Sequence, residues 1–328
     1  MEWKKFIPKP SAPKLRLTKV EPHTGHRTGI TVDASKRFGF LCWSAVKFHG
    51  DAVVERLTGN FDPVDLKGAP RLTGTALQDA VDQELQRQLA IAVIDLGVGV
   101  DYSVHRPLTT SASCGVHDAL AELGIPVSSA AAPSAVRAAA AEALTQEGIA
   151  HLGEIKISTD ASCGRTTTSG HGWFIESATM YRPVMGRTTS TQRTVRAAEL
   201  YSILKALKAA DRQFGREALR TGGLRVRSDC AIAVRMLREP GWLPESATSR
   251  EIALATSIRD FTKNLRVRFV WVRGHNGDLG NETADRLAVA ARRLHYARTP
   301  KDSAAAIIAN ICHEATERFQ SERHRLAA

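Results

Sequence analysis

Four acidic residues stand in four differently shaped segments of this 328-residue chain. Asp160 ends an alternating strand, Ile155-Lys-Ile-Ser-Thr-Asp160, and Glu199 opens a helix-patterned run from Arg196 to Leu207. Asp229 ends a second short strand, Leu224-Arg-Val-Arg-Ser-Asp229. Asp285 closes the segment Gly274-His-Asn-Gly-Asp-Leu-Gly-Asn-Glu-Thr-Ala-Asp285, with His275 ten positions ahead of it. Carboxylates spread over strand ends and helix starts converge only through the fold, and converged carboxylates repel unless a divalent cation holds them. Hard oxygen donors select Mg²⁺ or Mn²⁺. This is the donor set of a two-metal phosphodiester hydrolase, in which a pair of ions steadies both the attacking and the leaving oxygen. Singly, each Asp fits an ordinary turn and Glu199 an exposed helix acid; the order and spacing of all four carry the reading.

The elements that must position them are legible too. Along Ile155–Asp160 the residues Ile155, Ile157 and Thr159 share one face, and Asp160 points with Lys156 and Ser158 to the other. Asp229 has the same parity as Arg225 and Arg227. If these strands are parallel neighbours, their carboxylates lie side by side at the carboxyl end, where open α/β sheets bind ligands. Glu199 precedes Leu200, which forms an apolar stripe with Leu204 and Leu207, so it borders the buried face. Strands are expected at Gly172–Ser177, Thr179–Val184 and Val267–Val272, with a helix at Ile252–Lys263. Asn281 is the expected cap of the helix that carries Asp285.

Bulk composition narrows the class. The length suits two domains, and a hydrophobic share of 43% supplies ordinary cores. No run of eighteen apolar residues exists and the N-terminus has no apolar leader, so neither membrane span nor secretory signal is expected. Five scattered cysteines, without Cys-x-x-Cys, point to a reduced, cytoplasmic protein with no disulfide framework or zinc site. The net charge of +11 is uneven: residues 1–150 carry 16 basic and 16 acidic groups, whereas residues 151–297 carry 24 and 14. Excess cations beside the carboxylates suit a polyanionic substrate held next to a metal site.

Residues 154–297 resemble a type I ribonuclease H. That family has a strand ending in Asp, a helix with Glu, a strand ending in Asp, then a Gly-His loop and Asn-Glu-x-Ala-Asp. All five positions are filled in order, most distinctively by Val270-Trp-Val-Arg-Gly-His275 and Asn281-Glu-Thr-Ala-Asp285. The resemblance implies a mixed five-stranded sheet with flanking helices and an endonuclease that cuts the RNA strand of RNA–DNA hybrids, leaving 5′-phosphates. It implies two Mg²⁺ ions per site, Mn²⁺ serving as the alternative. Asp160 would bridge both, Glu199 and Asp229 would hold the water-activating side, and Asp285 would complete the other. His275 would relay protons or help product leave. Ser162, Cys163 and Gly164 fall where the family reads the substrate's 2′-hydroxyls, and Thr194 where it contacts phosphate; Arg196 and Asn276 are further expected substrate contacts. The partner is thus a nucleic acid, with no membrane and no protein partner evident. Three features depart from the family: Val195 replaces an Asn just before the Glu, Ala231 replaces a Gln after the third acid, and the segment after Trp242 lacks a basic protrusion. Two other readings compete. An RNA-binding module on the same fold would have a damaged carboxylate set. A transposase or integrase relative would use three carboxylates and lack the Gly-His and Ala-Asp ending.

The remaining segments divide as follows. Residues 1–28, with seven basic groups against two acidic ones, read as a flexible basic arm. Residues 29–132 read as an N-terminal α/β domain. It has strands near 29–35, 39–46, 51–57 and 98–104, and helices near 76–91 and 115–123. Residues 133–150 read as a helical connector and residues 298–328 as a terminal amphipathic helix. The Asp-Ala-Ser at Asp33–Ser35 echoes Asp160–Ser162, and Glu84 and Asp101 follow in the same order as Glu199 and Asp229. The N-terminal domain therefore raises the question of a diverged copy of the same fold, though one without a His loop or an Asn-Glu-x-Ala-Asp ending.

Overall fold

Alternating strands and amphipathic helices assemble into two five-stranded sheets, each with helices packed on it. The computed structural model describes residues 28–63, 66, 74–97, 103–106, 127–164 and 168–327. The basic arm up to residue 27, Asp101 and the helix expected near 115–123 lie outside the described residues.

The second sheet positions the carboxylates. Its strands are β6 (Ile155–Ser162), β7 (Thr168–Glu176), β8 (Val184–Thr191), β9 (Leu224–Ser228) and β10 (Val267–Trp271), in the spatial order β10-β9-β6-β7-β8. The first three form an antiparallel meander, and β9 and β10 add in parallel on the other side of β6. The long helix Val195–Phe214 connects β8 to β9, and the helix Leu279–Tyr296 follows β10. The third strand lies later than Thr179–Val184, the span the sequence pattern favours. Pro183 cannot donate to a ladder, and the N–H groups of Tyr181 and Arg182 donate instead to the Gly39 carbonyl at 2.7 and 3.4 Å.

The first sheet repeats this plan. Strands β1 (Thr28–Ser35), β2 (Leu41–His49) and β3 (Ala52–Phe61) form an antiparallel meander, and β4 (Ser103–Arg106) and β5 (Val127–Ala131) join β1 in parallel, giving the order β3-β2-β1-β4-β5. Helix α1 (Gly74–Asp95) follows the third strand and α2 (Ser134–Leu152) follows the fifth, as in the second half. One packing detail recurs as well. Trp43 lies across from Gly59 on the neighbouring strand and Trp173 across from Gly186. A Cβ on either glycine would meet the indole Cε2 at 2.6 or 2.5 Å, so each tryptophan ring covers a bare backbone. Among the described residues the two halves share strand order, strand direction and a helix after the third and the fifth strand, which makes the N-terminal half a second copy of the same sheet topology. Strand β5, Val-Ser-Ser-Ala-Ala, has one β-branched residue and no alternation, which is why its sequence reads as loop.

The helix expected as a connector does join the halves, and it also covers the first sheet. Ser44 Oγ donates to the Ala140 carbonyl at 3.1 Å and Thr58 Oγ1 donates to Glu147 at 2.8 Å. The halves are fused through the β1–β2 turn. Phe38, Phe40 and Cys42 are buried in the same core cluster as Leu200, Leu207 and Phe214. Gly39 holds a left-handed φ of +79° there. Arg37 Nε donates to the Gln213 carbonyl at 2.7 Å, and Gln213 Nε2 donates back to the Arg37 carbonyl at 2.6 Å.

The helices of the second half are numbered α3 (Val195–Phe214), α4 (Arg216–Gly222), α5 (Ala231–Arg238), α6 (Ser249–Thr262), α7 (Leu279–Tyr296) and α8 (Lys301–Ala327). Helix α8 sets Phe319 edge-on against Phe174, ring centres 6.0 Å apart. Its Arg323 pairs with Asp62 of the first half and donates to the Met180 carbonyl.

Candidate active site

The register of β6 on β9 explains how two distant Asp residues meet. Ser158 pairs with Arg227, so Asp160 and Asp229 lie two residues further on at adjacent strand exits. Asp160 stands opposite Gly172 of β7. A Cβ on Gly172 would fall 2.7 Å from the Ala288 backbone nitrogen and closer still to the Ala284 carbonyl, so glycine lets α7, with Asp285, lie directly on the sheet. Helix α3 starts at a Thr194 cap whose hydroxyl accepts from the Ala197 N–H at 3.1 Å. The start of α3 brings Glu199 over the end of β6, where its Oε1 accepts from the Ala161 N–H at 3.3 Å.

Asp160, Glu199 and Asp229 each offer a carboxylate oxygen, and these oxygens lie within 4.8 Å of one another. Glu199 is 3% exposed and Asp160 8%. Burial first, then repulsion from Asp229 and Asp285, pushes Asp160 up to about 7. Burial, with repulsion from Asp160 and Asp229, raises Glu199 well above the carboxylate range. Burial also raises Asp229, with a backbone hydrogen bond and the neighbouring His275 acting the other way. Asp285 sits beside Asp160 at hydrogen-bond range, and it stands outside the tightest three-residue cluster. Glu199 Oε2 is buried with no partner in hydrogen-bond geometry; the nearby Ser228 hydroxyl accepts from the Cys230 N–H. An orphaned carboxylate oxygen among ionisable neighbours is costly. A hard divalent cation, which needs oxygen donors, removes that cost, so the residues present fit one.

His275 is exposed on the loop after β10, in a left-handed conformation with φ +52°. The loop leans on the cluster: a Cβ on Gly274 would lie 2.8 Å from Asp229 Oδ2. The cap of α7 is Asp278, not Asn281. Its side chain accepts from the Asn281 N–H at 2.9 Å, and Asn281 is buried in the first turn, which moves Asp285 to the second turn. Asp278 is itself held by Arg227 Nη1 at 2.7 Å, and Arg227 Nη2 donates to Ser158 Oγ at 2.7 Å. One arginine thereby ties β9, β6 and the loop of His275 together.

The expected substrate contacts separate into two groups. Ser162, Cys163 and Gly164 leave β6 beside Asp160, and Asn276 is exposed on the His275 loop, where its side chain accepts from the Asp278 N–H at 3.2 Å. Thr194 and Arg196 turn inward. Thr194 Oγ1 donates to Glu251 Oε1 at 2.5 Å and Arg196 Nε to the same oxygen at 3.2 Å, while Glu251 is fully buried. Val195 between them is 58% exposed. Three residues to which the sequence pattern gives no role at the site also border it. Trp271, 51% exposed, donates its indole N–H to the Asp229 carbonyl at 2.9 Å. Arg227 is the tie just described. Arg292 Nε donates to Ser162 Oγ at 3.0 Å; its spacing of seven from Asp285 puts both on one helix face.

In the N-terminal half no equivalent cluster forms among the described residues. Asp33 pairs in register with Ser44 of β2, and Glu84 is taken by Arg87 at 2.6 Å and by Gln88 at 2.8 Å. By the tryptophan–glycine register, Ser35 rather than Asp33 falls at the position of Asp160.

A meander extended by parallel strands, with acids at the exits of its two central strands, defines the ribonuclease H-like class. Residues 153–293 match the RNase H family model. The ribonuclease H of Acidovorax sp. (strain JS42) is 28% identical over 141 residues, spanning 42% of this chain and 93% of that protein. That of Methylobacillus flagellatus is 28% identical over 136 residues, spanning 41% and 88%. Among solved structures, RNase H1 from the halophilic archaeon Halobacterium salinarum NRC-1 is 22% identical, covering 42% of this chain and 97% of that one with a TM-score of 0.35. No helix among the described residues is long and apolar enough to cross a membrane.

Proposed function

We propose that residues 151–297 hydrolyse the RNA strand of RNA–DNA hybrids by two-metal-ion catalysis. The observation that carries this is the meeting of Asp160, Glu199 and Asp229, from three separate elements, with an unpartnered carboxylate oxygen in their midst. Bound Mg²⁺, or Mn²⁺ in its place, would lower the pKa of the attacking water and neutralise the developing phosphorane charge. The protein's own part is positional. Asp160 would face both cation positions, Glu199 and Asp229 one, and Asp285 the other. Burial of Glu199 keeps bulk water from its side of the cluster. His275, exposed on a loop that rests against Asp229, would relay protons or help product, with its 5′-phosphate, leave. Ser162, Cys163, Gly164 and Asn276 line the exit of β6 and the facing loop, where backbone and small polar groups can read 2′-hydroxyls in a wide minor groove. The excess cations of residues 151–297 supply the phosphate attraction.

The test is cleavage of matched hybrid, double-stranded RNA and DNA duplexes with Mg²⁺ or Mn²⁺. Hybrid cut in its RNA strand, with 5′-phosphate ends and DNA duplex left intact, is the expected result. Cleavage of RNA duplex in preference to hybrid would replace the substrate assignment while leaving the metal site standing.

A further inference from the structure

We propose that Arg292, seated on Ser162, is a binding subsite for a backbone phosphate of the nucleic acid next to the cleaved one; this rests on the hybrid-hydrolase reading above. The guanidinium is engaged on one side only. Its Nε donates to Ser162 Oγ at 3.0 Å, a neutral acceptor, and its Nη1 lies 2.8 Å from where a Cβ on the exposed Gly164 would stand. No acid pairs with Arg292 among the described residues, whereas Arg225, Arg227, Arg286 and Arg318 around the same sheet each hold a carboxylate. A half-buried cation without a counter-charge is costly unless an anion arrives, and a guanidinium fork with one edge free suits two phosphate oxygens.

Its position is fixed. A Cβ on Gly170 of β7 would lie 2.7 Å from the Arg292 backbone nitrogen, so that glycine is what lets this turn of α7 settle on the sheet. Seven residues after Asp285, at 1.5 Å per residue, Arg292 stands about 10 Å along the helix from the cluster. That spacing addresses a neighbouring phosphate rather than the scissile one. The subsite also answers a deficit. Thr194 and Arg196 are spent on Glu251 and Val195 offers no donor, so the entrance beside α3 has little phosphate grip. The grip moves to α7 on the other side of β6.

The experiment compares full-length protein with Arg292→Met, Arg292→Lys and Ser162→Ala, all carrying Asp160→Asn so that hybrid is bound and not cut. Hybrid affinity is read by fluorescence anisotropy across a salt series, and thermal melts report folding. Losing one phosphate contact should weaken binding roughly three- to tenfold at low salt and reduce the slope of log K against log salt by about 0.9. Arg292→Lys should keep the slope with partly reduced affinity, and Ser162→Ala should weaken binding with the slope unchanged. Lower affinity of Arg292→Met at an unchanged slope would make Arg292 a mere prop for the β6 exit and overturn the subsite. Unchanged affinity and slope would overturn it too, provided wild type cleaves hybrid. Wild type that neither binds nor cleaves hybrid would overturn the substrate reading and the subsite together.

Discussion

Glu199 reaches from helix α3 to the backbone of β6, accepting from the Ala161 N–H at 3.3 Å, directly beside Asp160. The helix and strand that carry two of the site's acids are therefore joined at the site itself. Glu199→Gln keeps an acceptor for Ala161 and removes the charge. We expect it to fold, to bind hybrid and to lose roughly 10³-fold or more in turnover, measured as single-turnover cleavage. Turnover within tenfold of wild type would remove Glu199 from the metal set.

Asp160→Asn and Asp229→Asn should abolish cleavage while hybrid still binds. The sign of the stability change is a second readout. Asp160 is raised to about 7 from an unfolded value near 3.8, so the unfolded chain gives up its proton first and the metal-free fold is progressively disfavoured as pH rises from about 4 to 7. Metal-free Asp160→Asn should thus be more stable than wild type at pH 8 by roughly 2 kcal/mol or more, and Mg²⁺ should stabilise wild type alone. Urea melts with and without chelator decide it.

His275→Ala should slow turnover roughly 10²-fold without ending it, because bulk water partly replaces a shuttle on an exposed loop. Metal affinity, followed by calorimetry, should stay the same. A variant that is inert and no longer binds metal would make His275 a ligand.

His171, on β7 opposite Ala161, gives a pH prediction independent of the carboxylates. Burial, reinforced by Lys205, pushes it down to about 4, and its Nε2 lies 2.7 Å from Ser190 Oγ in the core. Its folded pKa is below its unfolded one, so between about pH 6.5 and 4 the unfolded chain takes the proton and stability falls as pH falls. The cost at pH 4 is about 3 kcal/mol. His171→Gln should flatten the drop between pH 6.5 and 4.5 relative to wild type in urea titrations. Parallel curves would show that His171 titrates normally.

The order of the acids on their elements was readable because each lies in a local pattern: strand alternation for Asp160 and Asp229, a leucine stripe for Glu199, a glycine-rich loop for His275. The parts that escaped are those decided by tertiary partners. Asp278 takes the cap because Arg227 holds it in place, a contact between residues 51 positions apart. Thr194 and Arg196 face inward because buried Glu251 claims both. Strand β8 starts late because the Gly39 carbonyl captures the chain before it. The echo between the halves was visible as Asp-Ala-Ser, yet the structural register sets it two residues out of step, so the shared letters do not mark equivalent positions.

The N-terminal half should act on catalysis through stability. Asp33→Asn should leave turnover unchanged, since among the described residues Asp33 joins no group of acids that could hold a metal. Phe38→Ala should cost about 3–5 kcal/mol, because the ring is 1% exposed and stacks on Phe214 at 6.5 Å between ring centres. Removing residues 1–130 should accordingly yield a fragment that unfolds more readily, not merely one with a raised KM. A fragment with wild-type melting behaviour would show that the Phe38–Phe40 turn is dispensable.

The fused turn at Phe38-Gly39-Phe40 also sets how the molecule tumbles. Its side chains sit in the other half's core, and Arg323 clamps the far edge to Asp62. The described halves should therefore reorient as one body with a single rotational correlation time, not as two beads on a tether. The effective-concentration arithmetic of flexibly linked modules then has no purchase here. Any strand bound over the β6 exit meets the first half at one fixed angle, and lengthening the peptide between Leu152 and Ile155 would change that angle before it changed any reach.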